Sequence, residues 1–427
     1  MNIYFRRTLV LLGFVLVIGN MPVFAIDTLQ WTPKVSGVTH TLWGVYFTDS
    51  LHGWAVGDSG TMLRTGDGGD TWSRVWIPTT DTLFFVVFAD PAHGWVGAGG
   101  LEAQIFVSRD SGKTWNSQTA IGKGFFDDAW CFDSMNMVYA GATDMSTSSQ
   151  YHVDGYIQRT KDPKTSFTGV SFHNQPRIES LYFVGRSHGW ACGSNLMTTT
   201  SDGGATWTQP MDTMIRINKG YVDAIWFLDT LKGFGAGKYG GIVETVNGGT
   251  TWNIIDTASG AWIEDIHFAD PGHGVAVGER GMVAASSDSG KKWRRTYPLY
   301  PPTTNAAWLR SVYFINAHNG WAVGDNGTIA KAAFVESDFV KTTVQHAHDR
   351  HAIRVSYSRG WVSVDFGEST EIGRLISIFS IDGRVIKAFK VKSNARTQKI
   401  AWMPKGASAF VVSARSGSSV LKRVLVP

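Results

Sequence analysis

Residues 44–72 read GVYFTDSLHGWAVGDSGTMLRTGDGGDTW, and residues 86–115 repeat the phrase as VVFADPAHGWVGAGGLEAQIFVSRDSGKTW. Versions of it recur over 180–207, 224–252 and 265–293, and 311–332 gives its first two-thirds again. Within one unit an apolar run (45–47) leads through a turn to a second (54–57), then a third (61–65). The tight turn 67–70 opens a fourth at Thr71 and Trp72. Gly and Asp stand at the corners, where tight β connections need left-handed backbone and side-chain bonds to the main chain. Four short antiparallel strands repeating every 40 to 50 residues predict propeller blades.

The Phe that closes the first run counts the blades. It stands at Phe47, Phe88, Phe132, Phe183, Phe227, Phe268 and Phe314, which is seven units. The unit around Phe132 matches least and carries a polar insertion over 143–154. The seventh ends after its third strand, and Leu29-Gln30-Trp31 resembles the start of the other fourth strands. The reading is therefore all-β: a seven-bladed propeller over 26–336, closed by its own N-terminal strand, which joins the first and last blades and removes a free edge.

The remaining segments are read by composition. With 48 Gly, 18 Trp and only 17% charged residues among 427, the chain is turn-rich and β rather than helical. Arg6 and Arg7, an apolar stretch and Val23-Phe24-Ala25 predict a cleaved secretory signal over 1–25, with no membrane span after cleavage. Of 39 Lys and Arg and 35 Asp and Glu, 13 and 4 fall in 351–427. Two arginines fall in the leader, which leaves 24 basic against 31 acidic side chains between. That sign change marks a boundary and argues against nucleic acid as a partner of the larger domain. The polar run 337–350 reads as a linker, and 351–427 as a separate C-terminal domain. Cys131 and Cys192 lie in apolar strand phrases and read as buried thiols.

The turn before each fourth strand has the form Ser/Thr-x-Asp-x-Gly-x-x-Trp, with Asp67, Asp110, Asp202, Asn247 and Asp288 at the third place. Thr160, Asp162 and Phe167 look like a decayed copy. This resembles the Asp-box, or BNR, repeat of sialidases, sortilin-type receptors and xyloglucan-degrading glycosidases. The fuller phrase F-x-D-x-x-H-G-W-A-V-G most resembles the photosystem II assembly-factor family. The resemblance implies a propeller in which the box residues are folding devices. At the other end, residues 376–389 (ISIFSIDGRVIKAF) and the closing LKRVLV resemble the sorting domain of type IX secretion cargo. That resemblance implies a small Ig-like β-sandwich over 351–427, with roles for Asp382, Gly383, Arg384, Lys422 and Arg423 in export by a secretion machinery. It also implies a location outside a Gram-negative cell, secreted or on the outer surface.

A site is expected where the loops entering the innermost strands converge. Four places before each marker Phe stand Trp43, Phe84, Asp128, Glu179, Asp223, Glu264 and Arg310. Six places before it stand Phe126, Arg177, Tyr221, Trp262 and Trp308. An arc of acids interleaved with aromatic rings suits a basic peptide or a sugar chain. The primary expectation is a binding scaffold without enzymatic activity, holding a protein segment or polysaccharide. The alternatives are a glycan-cleaving hydrolase using two of the carboxyls and a photosystem-assembly-factor-like chaperone. His52, His93, His188 and His273 fall in equivalent turns of separate blades, too far apart to share an ion. No spacing suggests a metal or cofactor.

Overall fold

In the computed structural model the described residues are 28–335, apart from 101–102, 121–123, 145–152, 163–165, 173–176, 194–195, 209–220, 257–259 and 300–305, together with the backbone of seven strands between 354 and 425. The leader, the linker and Asp382, Gly383 and Arg384 lie outside them.

Thr28–Val335 form one compact unit made of seven antiparallel sheets, the blades. The innermost strands are Leu42–Phe47, Thr82–Phe88, Gly124–Cys131, Ser180–Val184, Val222–Phe227, Ile263–Asp270 and Leu309–Asn316. Six blades have four strands; in the fourth, three strands are joined by a bridge from Thr199 to Thr208. The seventh takes its outer strand from the other end of the unit. Thr28–Lys34 pairs antiparallel with Ile329–Val335, and Trp31 faces Ala332. The ring thus closes by backbone hydrogen bonds between the first and last strands.

The recurring phrase is a device for locking each blade to the next. In blade 1 the ring of Phe47 lies opposite Gly53, where any β-carbon would overlap it. Phe47 stacks on Trp321 of blade 7, with centroids 3.4 Å apart, and meets Trp72 of its own box edge-on at 5.9 Å. Phe227 repeats this with Trp190 at 3.6 Å and Trp252 at 5.9 Å. Phe88 stacks on Trp54 and Phe268 on Phe234 in the same sense. The box holds its Trp in place by polar bonds. Asp67 accepts from Thr65 Oγ1 (2.8 Å), the Thr71 N–H (2.9 Å) and Thr71 Oγ1 (2.6 Å), and Trp72 Nε1 donates to Gly69 O at 3.1 Å. Asp110, Asp202 and Asn247 make matching bonds with Thr114, Thr206 and Thr251. Asp288 accepts from the Lys292 N–H. These hydrogen bonds favour the charged form and pull the Asp67 and Asp202 carboxyls down to about 2.

Blade 3 departs from the count. Cys131, not Phe132, faces the start of the second strand, because the residue opposite is Met137 and not glycine. A phenyl ring does not fit over Met137, so the smaller thiol side chain stands there. Phe132 instead meets Phe183 of blade 4 edge-on at 5.0 Å. Every position inferred by counting back from Phe132 therefore shifts by one residue.

Beyond the propeller, one antiparallel sheet joins Arg354–Ser358, Trp361–Asp365 and Thr397–Ala401. A second runs in the order Val385–Lys390, Leu375–Ser380, Phe410–Ser416, Ser419–Leu425. Lys422 and Arg423 lie in its last strand, opposite Ser413 and Val412.

Candidate binding site at the channel mouth

Six of the seven inner strands carry a β-bulge near their start, between Leu42 and Gly44, Leu83 and Phe85, Phe126 and Asp128, Val222 and Ala224, Ile263 and Asp265, and Leu309 and Ser311. A bulge inserts one residue and re-aims its side chain. The inserted residues are Trp43, Phe84, Asp127, Asp223, Glu264 and Arg310. In blade 4 Glu179 holds the equivalent place, its N–H bonded to Cys192 O at 2.8 Å. These seven side chains line the mouth of an axial cavity of about 530 Å³.

Asp128, expected in this arc, has a different task. Its Oδ2 accepts the Leu181 N–H of blade 4 at 2.7 Å, and its Oδ1 accepts the Ala129 N–H at 2.8 Å. Asp265 does the same between blades 6 and 7. It accepts from the Val312 N–H (2.9 Å), Ser311 Oγ (3.1 Å) and the Ile266 N–H (2.8 Å). Burial pushes both carboxyls up to about 7, against the hydrogen bonds that favour their charged form. The arc position in blade 3 belongs to Asp127. Likewise Phe126 is buried against Tyr139 and Tyr156, and Phe125 takes the outer rim place.

The mouth is organised in sectors where a carboxylate, a cation and aromatic rings meet. Arg177 pairs with Asp127 through Nε (2.6 Å) and a second guanidinium nitrogen, and lies over Phe84 and Phe125 at 5.2 and 4.8 Å. Arg310 reaches Glu264 (3.2 Å) and Asp325 (2.9 Å), and lies over Trp43 and Trp308 at 4.7 and 4.6 Å. Lys238 lies over Tyr221 and Trp262 at 5.5 and 4.9 Å. Trp262 and Trp308 meet edge-on at 5.7 Å. The Asp223 carboxyl is raised to about 9 by burial and by the neighbouring Glu179 carboxyl, to which it is hydrogen-bonded. Asp223 therefore holds a proton at neutral pH. Burial also raises Asp127 and Glu264, which Arg177 and Arg310 oppose.

Two further rings of residues escaped the sequence reading. Asp58, Lys238, Glu279 and Asp325 each follow the glycine ending a second strand. Each donates its N–H to the carbonyl of the outer rim residue: Thr41, Tyr221, Trp262 and Trp308. The repeated Gly-x step was the available signal. Deeper in the channel Tyr46, Trp130, Tyr182, Trp226, His267 and Tyr313 form an aromatic collar, with neighbouring centroids 3.9 to 5.1 Å apart from Trp130 round to Tyr46. Each immediately precedes the marker position, so this ring too is written in the repeat. Burial lowers His267 to about 3, so it is neutral.

The repeated histidines serve their own turns. His52, His93 and His273 bond Asp49, Asp90 and Asp270 at 2.9 Å, and His188 bonds Ser187 at 3.0 Å. Among the described residues no three His, Cys, Asp or Glu side chains gather as metal ligands. Glu179 and Asp223, in direct hydrogen-bond contact, lie closer together than the about 5–9.5 Å separations that glycoside hydrolysis uses. The mouth thus presents carboxylates, cations and aromatic rings side by side.

Known proteins add to this geometry. Residues 252–333 match the family model described as photosynthesis system II assembly factor YCF48. A stretch of 56 residues is 43% identical to the photosystem II stability/assembly factor HCF136, chloroplastic, of Guillardia theta, and spans 13% of each chain. YCF48 from Cyanidioschyzon merolae superposes with a TM-score of 0.58 at 21% identity, over 71% of this chain and 99% of that one. The structure titled YCF48 bound to D1 peptide gives 0.58 at 18%, over 74% and 100%. Together these show the fold, a β-propeller, and a local resemblance to photosystem II assembly factors. They overturn the expected location on a Gram-negative outer surface: the proteins matched are photosystem II assembly factors, one of them chloroplastic.

Proposed function

We propose that this chain is a protein-binding scaffold of the photosystem-assembly-factor type, holding a segment of a partner protein at the channel mouth. The observation that carries the reading is the mouth itself. Trp43, Phe84, Tyr221, Trp262 and Trp308 stand at the entrance of an open cavity among carboxylates and cations, and the collar floors it. Planar rings supply contact area at little entropic cost, and the charged groups supply specificity. That a similar propeller has been solved with a peptide bound supports the same reading. The two C-terminal sheets, in this proposal, pack as a small Ig-like β-sandwich, which spectra of residues 351–427 expressed alone would test by showing or lacking a folded β domain.

The test is selection of linear dodecapeptides from a displayed library on the full chain, with a glycan array beside it. Enriched peptides are expected to lose binding to the Trp43→Ala, Phe84→Ala double variant. Peptides that bind both proteins equally, or enrichment of glycans alone, would contradict the reading.

A further inference from the structure

In two sectors of the mouth an acid at the bulge holds a guanidinium that also rests on aromatic rings: Asp127 with Arg177, and Glu264 with Arg310. The sector at blade 5 has the same acid and rings but a different occupancy. Asp223 Oδ1 is buried and, among the described residues, has no hydrogen-bond partner. Lys238 rests on Tyr221 and Trp262, and among the described residues it makes no ion pair. It sits close enough to act on the Asp223 charge without closing on it. Trp262 is 37% exposed, so its ring is open to a ligand.

We propose that this sector reads a lysine of the bound segment, the incoming ammonium seating against Asp223 on the Tyr221 and Trp262 rings and displacing Lys238 into solvent. The inference rests on the protein-segment reading above. Lys238 is the resident stand-in: it shows that the two rings accept an ammonium, and its removal leaves the seat empty. A compact ammonium with three donors suits a carboxyl oxygen between two rings, where a planar fork needs two coplanar acceptors. A proton also changes place. The proton on Asp223 leaves to solvent as the cation arrives, because an adjacent positive charge favours its carboxylate. The groups facing Asp223 are Glu179 and Cys192 on blade 4, Lys238 on its own blade and Glu264 on blade 6. Binding therefore tightens as pH rises from 6 to about 9.

The experiment is calorimetric titration of the full chain with acetyl-Gly-Gly-Lys-Gly-Gly-amide, its norleucine counterpart and butylammonium, in buffers of different ionisation heat. The lysine peptide is expected to bind about tenfold tighter than the norleucine peptide, with release of close to one proton at pH 7. Asp223→Asn is expected to remove both effects. Lys238→Ala is expected to tighten binding several-fold, which no loss of folding would produce. Equal affinity for the lysine and norleucine peptides, no proton release, or weaker binding to Lys238→Ala would overturn the proposal. So would butylammonium binding as tightly as the peptide. Library peptides that bind at the mouth while the lysine peptide does not would sink this inference and leave the protein-segment reading standing.

Discussion

Trp321 stacks on Phe47 across the seam between the last blade and the first, ring centroids 3.4 Å apart and planes within 9°, and gives its indole N–H to Gly68 O at 2.9 Å. The pair joins the second strand of blade 7 to the first strand and the box of blade 1. Replacing Trp321 with Ala leaves a large buried void and an unmatched carbonyl, at a cost of about 3–5 kcal/mol. Thermal or denaturant unfolding of the variant checks this; a change near zero would mean that the seam is held by other contacts.

The same seam depends on a strand contributed from the far end of the propeller. Removing residues 28–34 exposes the edge of Ile329–Val335 and uncovers Phe334, which packs with Leu29 and Trp31. The shortened protein is expected to lose cooperative unfolding or to self-associate through the open edge. Sedimentation and calorimetry on the truncated chain read both outcomes, and a monomer with unchanged melting would refute the closure argument.

Blade 3 offers a test of register. Cys131→Phe puts a ring over Met137 and is expected to destabilise by about 1–3 kcal/mol through overpacking. Adding Met137→Gly restores the pairing seen in the other blades and is expected to recover most of that loss. A double variant no more stable than the single one would show that glycine opposite the ring is not what the position demands.

Asp128 and Asp265 give the propeller a pH dependence of definite sign. Each carboxyl titrates near 7 when folded, raised by burial from its ordinary value of 3.8. The folded state therefore binds more protons than the unfolded one between those values. Their contribution is fully present below about pH 4 and is lost as pH rises through about 7. Melting temperature followed from pH 4 to 8 should fall less steeply in Asp128→Asn and Asp265→Asn than in the parent chain. Identical slopes would show that neither group is protonated in that window.

The blade count, the box turns and the N-terminal closing strand were legible because each repeats a physical requirement. Phe needs glycine opposite, and the box Trp needs its turn. Reading went astray in blade 3, where Met137 replaces that glycine and Cys131 the ring, so counting from Phe132 selected Asp128 in place of Asp127. Two carboxylates side by side in sequence then have opposite fates, one turned into the mouth by a bulge and one clasping the Leu181 N–H. A bulge depends on strand pairing and leaves no mark in composition. The collar was legible in principle, since Tyr46, Tyr182, Trp226, His267 and Tyr313 all precede a marker Phe. The ligand was not, because the repeats encode the scaffold and the mouth differs from blade to blade.

Site-specific photo-crosslinking tests the central claim most directly. A benzophenone side chain replaces Phe84 at the mouth in one protein, and in another it replaces Leu51, which is 52% exposed in the turn at the other end of the same kind of inner strand. Each is irradiated with a library-selected peptide. Binding at the mouth predicts a covalent adduct from position 84 and none from position 51; an adduct from position 51 alone would place the partner on the opposite face and contradict the account.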